Sequence, residues 1–390
     1  MQYDITVDCP VFDSFHVRQV AGLFDVPLQQ RAREQFSAEV PGLDEPWEIG
    51  VIVGPSGAGK STIARAAYGD DLYQASAWPT DCAVIDCFGS LPIKLVTRVL
   101  TAVGLSSAPA WLKPHAVLSN GEKFRCELAR ALLLGGPIVA FDEFSSVVDR
   151  TVAKIASAAT AKAMRFRPPL EIAKRFVAVT CHYDVVEWLE PDWVLDMASR
   201  TLARGRLRRP RIELRCGRTD RSLWEIFKRH HYLSGNLHRS ARCYLGTVED
   251  RPAVFTAVLS HPHPIRPGWR EHRTVCLPDF QGVGIGNAMS EFVASLYIAT
   301  GRPYFSTTSH PGMIAHRRRS PLWRTCRPAG ISGSLGGSTS MPGMHKLGGN
   351  ARITAGFEYV GAPRMGEVTE AVFKRSALHS LSQYSGRGLG

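Results

Sequence analysis

The chain has 390 residues, enough for two or three domains that each bury a core of their own. Hydrophobic residues make up 44% and charged residues 21%, which excludes a disordered chain, and no uncharged apolar run is long enough for a membrane helix. The formal net charge of +12 favours an anionic partner. The first residues lack the basic and apolar regions of a signal peptide, so the expected compartment is the cytoplasm. Nine scattered cysteines without zinc-knuckle or redox-motif spacing read as reduced, structural thiols.

In chain order, residues 1–200 alternate apolar strands with helical runs. "WEIGVIVG" (47–54), "DCAVIDCF" (81–88), "PIVAFDEF" (137–144) and "RFVAVTCH" (175–182) are expected to be buried parallel strands of an α/β domain. Residues 201–211 are expected to be a basic linker. Residues 212–365 form a second, α+β domain, and 366–390 a tail. The second domain opens with the strand "RIELRC" and a single helix, "RSLWEIFKRHHYL". Three neighbouring strands follow (243–250, 251–260, 272–279), with a hairpin turn at Glu249–Asp250. Next come a glycine loop, a helix over 288–300 and strands over 303–309 and 351–361. The Gly/Ser-rich stretch 327–350 is expected to be a loop.

The stretch "GPSGAGKST", Gly54–Thr62, lies between an apolar strand and a helical run. That is the context of a phosphate cradle. Gly54, Gly57 and Gly59 let backbone amides turn inward, and the helix N-terminus adds a positive field. Lys60 would reach the β- and γ-phosphates of ATP, Ser61 and Thr62 follow it, and Ser61 would hold Mg²⁺. Asp142, at the end of "PIVAFDEF", would complete the Mg²⁺ shell, and Glu143 would polarise the attacking water.

Shortly before that strand stands "LSNGEKFR" (118–125), which resembles the signature of the ABC ATPase family, leucine-serine-glycine-glycine-glutamine. Ser119 and Gly121 match, whereas Asn120 and Glu122 depart from it. The resemblance extends to "SSVVDR", where Asp149 fits the D-loop, and to "VAVTCH", where His182 fits the γ-phosphate-sensing switch histidine. It implies an ABC-type P-loop ATPase fold with ATP sandwiched in a head-to-tail homodimer, Ser119 and Gly121 completing the partner's site. No Q-loop glutamine is present; "VIDCFG" (84–89), with Asp86 at its centre, stands in its place. That departure and the short interval before the signature fit a non-transport member without a membrane partner.

A second glycine loop, "QGVGIG", spans Gln281–Gly286 after a strand and before a helix. With Gln281, Gly284 and Gly286 in place, it resembles the acyl-CoA loop of GNAT acyltransferases. The resemblance implies that Gln281, Gly282, Gly284 and Gly286 receive the pyrophosphate of acetyl-CoA or another acyl-CoA. "RHHYLSG" (229–235), "STTSHP" (306–311), "SPLWR" (320–324) and "RITAGFEYVG" (352–361) are similar to the phage Mom-type branch, which modifies adenines in DNA. There His231 and Tyr232 match a pair linked to activity, with iron an open question. Candidates for moving the amine proton are Asp279, His231, His310 and Tyr359. Trp323 reads as a core aromatic ahead of a base-stacking one.

Arginines 204, 206, 208, 209, 211, 215, 218 and 221 crowd one segment, and 317–319 form a second run. They fit phosphate forks on nucleic acid, DNA ahead of RNA, or equally a solvated linker and helix face. The reading is an ATPase joined to an acyltransferase for a nucleic-acid amine. The alternatives are an ABC-type clamp or regulator with a non-catalytic second half, a transporter ATPase with an extension, and an acyltransferase for a protein or small-molecule amine.

Overall fold

Five consecutive apolar or small residues, Ile49–Val53, are buried on both faces, as a central parallel strand requires. The computed structural model that contains them describes residues 1–10, 12–24, 31–166, 172–206, 210–231, 237–332, 352–366 and 378–381. Compactness does not follow the chain. Residues 1–77, 130–149 and 164–209 gather into one unit, and residues 78–129, 150–163 and 210–390 into another.

The first unit opens with a hairpin of β1 (Gln2–Pro10) and β2 (Arg31–Glu39). Its main sheet comprises β3 (Ile49–Val53), β4 (Leu72–Tyr73), β5 (Ile138–Phe141), β6 (Arg175–Thr180), β7 (Trp193–Asp196) and β8 (Thr201–Arg204), in the order β4-β5-β6-β3-β7-β8. All neighbours run parallel except β7 and β8. Ile52, Ile63, Val177, Val179 and Trp193 fill the core beside β3. Two expectations are corrected here. Residues 81–88 are not a strand but hold a 3₁₀ turn, Val84–Asp86, with Val84 and Phe88 buried. Thr201–Arg204, expected in the basic linker, instead form an edge strand, Leu202 packing against the core.

In the second unit an eight-stranded sheet comprises β9 (Leu214–Thr219), β10 (Arg242–Val248), β11 (Arg251–His261), β12 (Gly268–Cys276), β13 (Tyr304–Thr308), β14 (Trp323–Ser332), β15 (Arg352–Tyr359) and β16 (Leu378–Leu381). Their order is β14-β15-β13-β12-β11-β10-β9-β16. β12 and β13 are parallel and paired only at Trp269 with Tyr304 and Arg270 with Phe305, so they part from Glu271 onward. The helix Ile285–Ile298 buries Met289, Val293, Leu296 and Tyr297 against this sheet. The hairpin at Glu249 (φ 49°) and Asp250 (φ 59°) uses two left-handed residues, as a tight two-residue turn demands.

Three boundaries differ from expectation. The opening strand starts at Leu214, not Arg211. The helix expected over 221–233 is instead, as far as His230, a 3₁₀ turn, one α-turn at Trp224–Phe227 and another 3₁₀ turn, with Trp224 and Phe227 as the apolar side chains that enter the core; 232–233 lie outside the described residues. Residues 327–332 of the supposed loop belong to β14, and 333–350 lie outside the described residues. Among the described residues no helix is long and apolar enough to cross a membrane.

Candidate active site

The glycine loop after β3 is shaped by Gly57 (φ 80°) and Gly59 (φ 81°), a region closed to most side chains. At Gly59 a Cβ would also lie 2.2 Å from the Phe36 ring. Helix Lys60–Tyr68 begins at once, aiming its free amides into the loop. Lys60 Nζ donates to the Pro55 carbonyl at 2.7 Å, resting on the loop whose phosphate it would bind. Ser61 Oγ donates to Asp142 Oδ1 at 3.0 Å, and the same oxygen accepts the Glu143 amide at 2.9 Å. Glu143 is exposed and holds a left-handed backbone, φ 50°.

The hydroxyl of Ser61 and the carboxylate of Asp142 are hard oxygen donors in one place, the set Mg²⁺ takes when phosphates and water supply the rest. Among the described residues no group of three or more His, Cys, Asp or Glu is placed to hold a metal ion. Thr180 Oγ1 donates to the Phe144 carbonyl at 2.9 Å and accepts the His182 amide at 3.1 Å. One hydroxyl thus ties the half-buried His182 to the turn that carries Glu143. Asp149 is exposed just ahead of helix Arg150–Met164.

Lys60, Ser61, Thr62, Asp142 and Glu143 line one cleft of about 480 Å³ together with Val7, Glu34 and Phe36 from the hairpin, whereas His182 and Asp149 do not line it. Sequence reasoning missed the three hairpin residues. Alternation in "REQFSAE" marks a strand, but nothing local says that it lies over a loop twenty residues on.

At the signature stretch the departure at Glu122 has a physical account. Glu122 Oε2 accepts from the Ser119 amide at 3.0 Å and from its hydroxyl at 2.9 Å, and the Glu122 amide faces Ser119 Oγ at 3.4 Å. This is a reciprocal cap on helix Asn120–Leu134. Beneath it the buried Arg125 donates to the carbonyls of Gly121 at 3.2 Å and Asp279 at 3.1 Å.

The second glycine loop is divided. Gln281 is buried: its carbonyl oxygen accepts from the amide and hydroxyl of Ser106, both at 2.7 Å, and its nitrogen donates to Cys276 O at 2.8 Å. A Cβ on Gly282 (φ 91°) would lie 2.8 Å from Ala159 Cβ and 2.9 Å from Gly104 Cα. Gly284 (φ 95°) starts helix Ile285–Ile298 in open space, and Gly286 would meet only Cys276. Gln281 and Gly282 are therefore packed inside, while Gly284 and Gly286 face room.

Each proposed proton carrier has its own surroundings. Asp279 pairs with Arg251 at 3.8 Å. His231 is buried edge-on to the Trp224 ring, 5.8 Å between centroids, and Tyr232 lies outside the described residues. His310 places Nε2 3.1 Å from the Ser106 carbonyl while Nδ1 accepts the Met313 amide at 3.4 Å, and burial pushes its pKa down. Burial raises the Tyr359 phenol to about 12. Trp323 is a core residue, donating to Glu291 Oε1 at 3.2 Å under the Arg317 guanidinium.

The arginine runs are not uniformly free for phosphate. Arg317 is 1% exposed and pairs with the buried Glu271 at 2.7 Å, also donating to Ser290 and Ser306. Arg318 and Arg319 are exposed. Arg204 binds Glu39 at 3.0 Å and Glu45 at 3.2 Å, and Arg215 binds Asp250 at 3.1 Å. Arg208 and Arg209 lie outside the described residues.

No protein-family model and no curated protein matches the chain. Among solved structures it is similar to the dimeric structure of MJ0796, a bacterial ABC transporter cassette, at 17% identity and a TM-score of 0.33, over 42% of this chain and 87% of that one. A post-hydrolysis state of the same cassette bound to ADP and Pi gives the same values. A third, described as a cobalt transport ATP-binding protein, matches at 20% identity and a TM-score of 0.32, over 48% of this chain and 79% of that one. Likeness at this level carries no weight beyond itself, and the functional reading rests on the site's own geometry.

Proposed function

We propose that the chain is an ABC-type ATPase whose turnover controls an acyl-CoA-dependent N-acyltransferase acting on a nucleic-acid base amine, DNA ahead of RNA. The observation that carries the ATPase is the grouping of Lys60, Ser61, Asp142 and Glu143 on one cleft. Bound Mg²⁺ would neutralise phosphate charge there, held by Ser61 and Asp142. Lys60 exchanges the Pro55 carbonyl for β/γ-phosphate oxygens. Glu143 accepts the proton of the attacking water, and His182, fixed through Thr180, donates toward the γ-phosphate. Phe36 offers its ring to a purine beside the cradle. Ser119 and Gly121 serve a second copy of the chain, making the active form a homodimer.

The acyltransferase reading is supported by the order β9 to β13 with β15 inserted before β14, and by the parting of β12 from β13 at Glu271. A glycine loop at a helix start follows that parting, where amides can take a pyrophosphate. In the reaction the substrate amine attacks the thioester carbonyl, loses its proton, and expels the CoA thiolate. Coupling is supported by the hold of Ser106 on Gln281 and of Arg125 on both Gly121 and Asp279. Movement of the signature stretch then reaches the acyl-CoA loop through those contacts.

The test is mass spectrometry of nucleosides from cells expressing the wild type, Lys60→Ala and Gly284→Trp, with DNA and RNA separated. A modified base lost in both variants is expected. Its absence from both pools with the wild type would overturn nucleic-acid modification. One observation favours a second reading, a clamp with a non-catalytic second half: Gln281 and Gly282 are already packed away. Failure of the whole protein to bind CoA would select it.

A further inference from the structure

We propose that Cys82 and Cys87 form a reversible dithiol–disulfide site. Their sulfurs lie 3.4 Å apart, within van der Waals contact, on either side of the turn Val84–Asp86. Both residues are half-buried, so a small oxidant can reach them. The turn between them is ordered. Its Val84 amide donates to the Lys113 carbonyl at 2.9 Å, and the amides of Asp86 and Cys87 close it on Ala83 at 3.0 Å and Val84 at 3.1 Å. Cys87 Sγ also contacts the Ala83 carbonyl at 3.3 Å. The pair is thus preorganised: a disulfide needs a sulfur separation of about 2 Å, reached by side-chain rotation across an already closed turn. The spacing of five conceals it in sequence, because it matches no common redox motif.

The oxidant is a low-molecular-weight disulfide such as oxidised glutathione. The Cys82 thiol loses its proton to solvent and its sulfur attacks one sulfur of the oxidant. A mixed disulfide forms, and the first glutathione thiolate leaves. The Cys87 thiol then loses its proton, attacks Cys82 Sγ and expels the second glutathione thiolate. Two electrons pass to the oxidant, and the two departing thiolates take up two protons. Intracellular disulfides of this kind are mostly transient and sensory. Closure locks the turn that carries Asp86, the residue standing where an ABC ATPase has its Q-loop glutamine. The chemistry of the pair is independent of the acyltransferase reading.

The full chain is equilibrated in mixtures of reduced and oxidised glutathione, quenched in acid, alkylated and digested with trypsin. No Lys or Arg separates the two cysteines, so one peptide carries both. As the oxidised fraction rises, that peptide is expected to appear without either alkyl group and two hydrogens lighter than the free dithiol, and to return to the doubly alkylated form when dithiothreitol precedes alkylation. Cys82→Ser and Cys87→Ser should each abolish the unalkylated form. Alkylation of both sulfurs at every mixture, or separate glutathione adducts on each without the internal bond, would overturn the proposal.

Discussion

Of the two acids in the cleft, one sits on an unusual backbone. Glu143 holds φ 50° directly after Asp142, at a cost that surrounding contacts must offset, and such positions cluster where chemistry is done. Glu143→Gln is expected to lower ATP turnover by about 10²- to 10³-fold while nucleotide binding persists, as steady-state hydrolysis and fluorescent-nucleotide titration would record. Equal loss of both would instead mark a structural role. Glu122 departs from the signature that its stretch resembles, and its contacts with Ser119 account for it. Glu122→Ala should cost about 1 kcal/mol in urea unfolding through loss of the cap, whereas Glu122→Gln keeps the reciprocal bonds.

Elements are held by contacts that no single element encodes. Gly282→Ala forces a Cβ against Ala159 and Gly104, whereas Gly284→Ala meets open space and pays only for its backbone. The first should lose about 1–3 kcal/mol more than the second in denaturant titration. Arg317 joins its own helix to β12, β13 and helix Ile285–Ile298 through Glu271, Ser306 and Ser290. Burial raises the Glu271 pKa, but Arg317 and the flanking hydroxyls together hold it below the ordinary carboxylate value. Arg317→Ala strands that carboxylate in the core and is expected to cost about 3–5 kcal/mol, lowering Tm.

Histidines set an acid limit on the same unit. Burial, with Arg273 next in effect, brings His272 down to about 4 from 6.5, and burial also lowers His310. The unfolded chain therefore binds more protons than the folded one below about pH 6.5, so stability falls as pH drops from there toward about 4. Urea midpoints measured across that range should decline before ordinary carboxylates titrate. A flat profile would mean that these rings protonate without strain.

For the assembled molecule, the proposed function has a second chain complete the nucleotide site through Ser119 and Gly121. Glu143→Gln with ATP and Mg²⁺ is expected to sediment as a dimer and to return to monomer when Lys60 is also replaced by Ala. If the proposed nucleic-acid acceptor is correct, binding to it should weaken linearly in log affinity with log salt. Arg318→Glu with Arg319→Glu should reduce it, whereas the buried Arg317 belongs to the core and not to that surface.

The glycine loop after β3 and the two acids that share its cleft could be read from sequence because each is a contiguous motif next to a buried strand, where local chain geometry alone aims the groups. The hairpin that brings Phe36 to Gly59, the turn that brings Cys82 to Cys87, and the seating of Gln281 on Ser106 were not. Gln281 reads in sequence as a ligand-binding residue, and its buried amide is instead satisfied by a segment about 175 residues away. Sequence alone determined which local backbones could cradle phosphate and which runs had to be buried, because propensity and periodicity act within a few residues. Tertiary structure decided which arginines face water, which thiols meet and which polar groups are already paired, because burial and partnership depend on what distant segments bring.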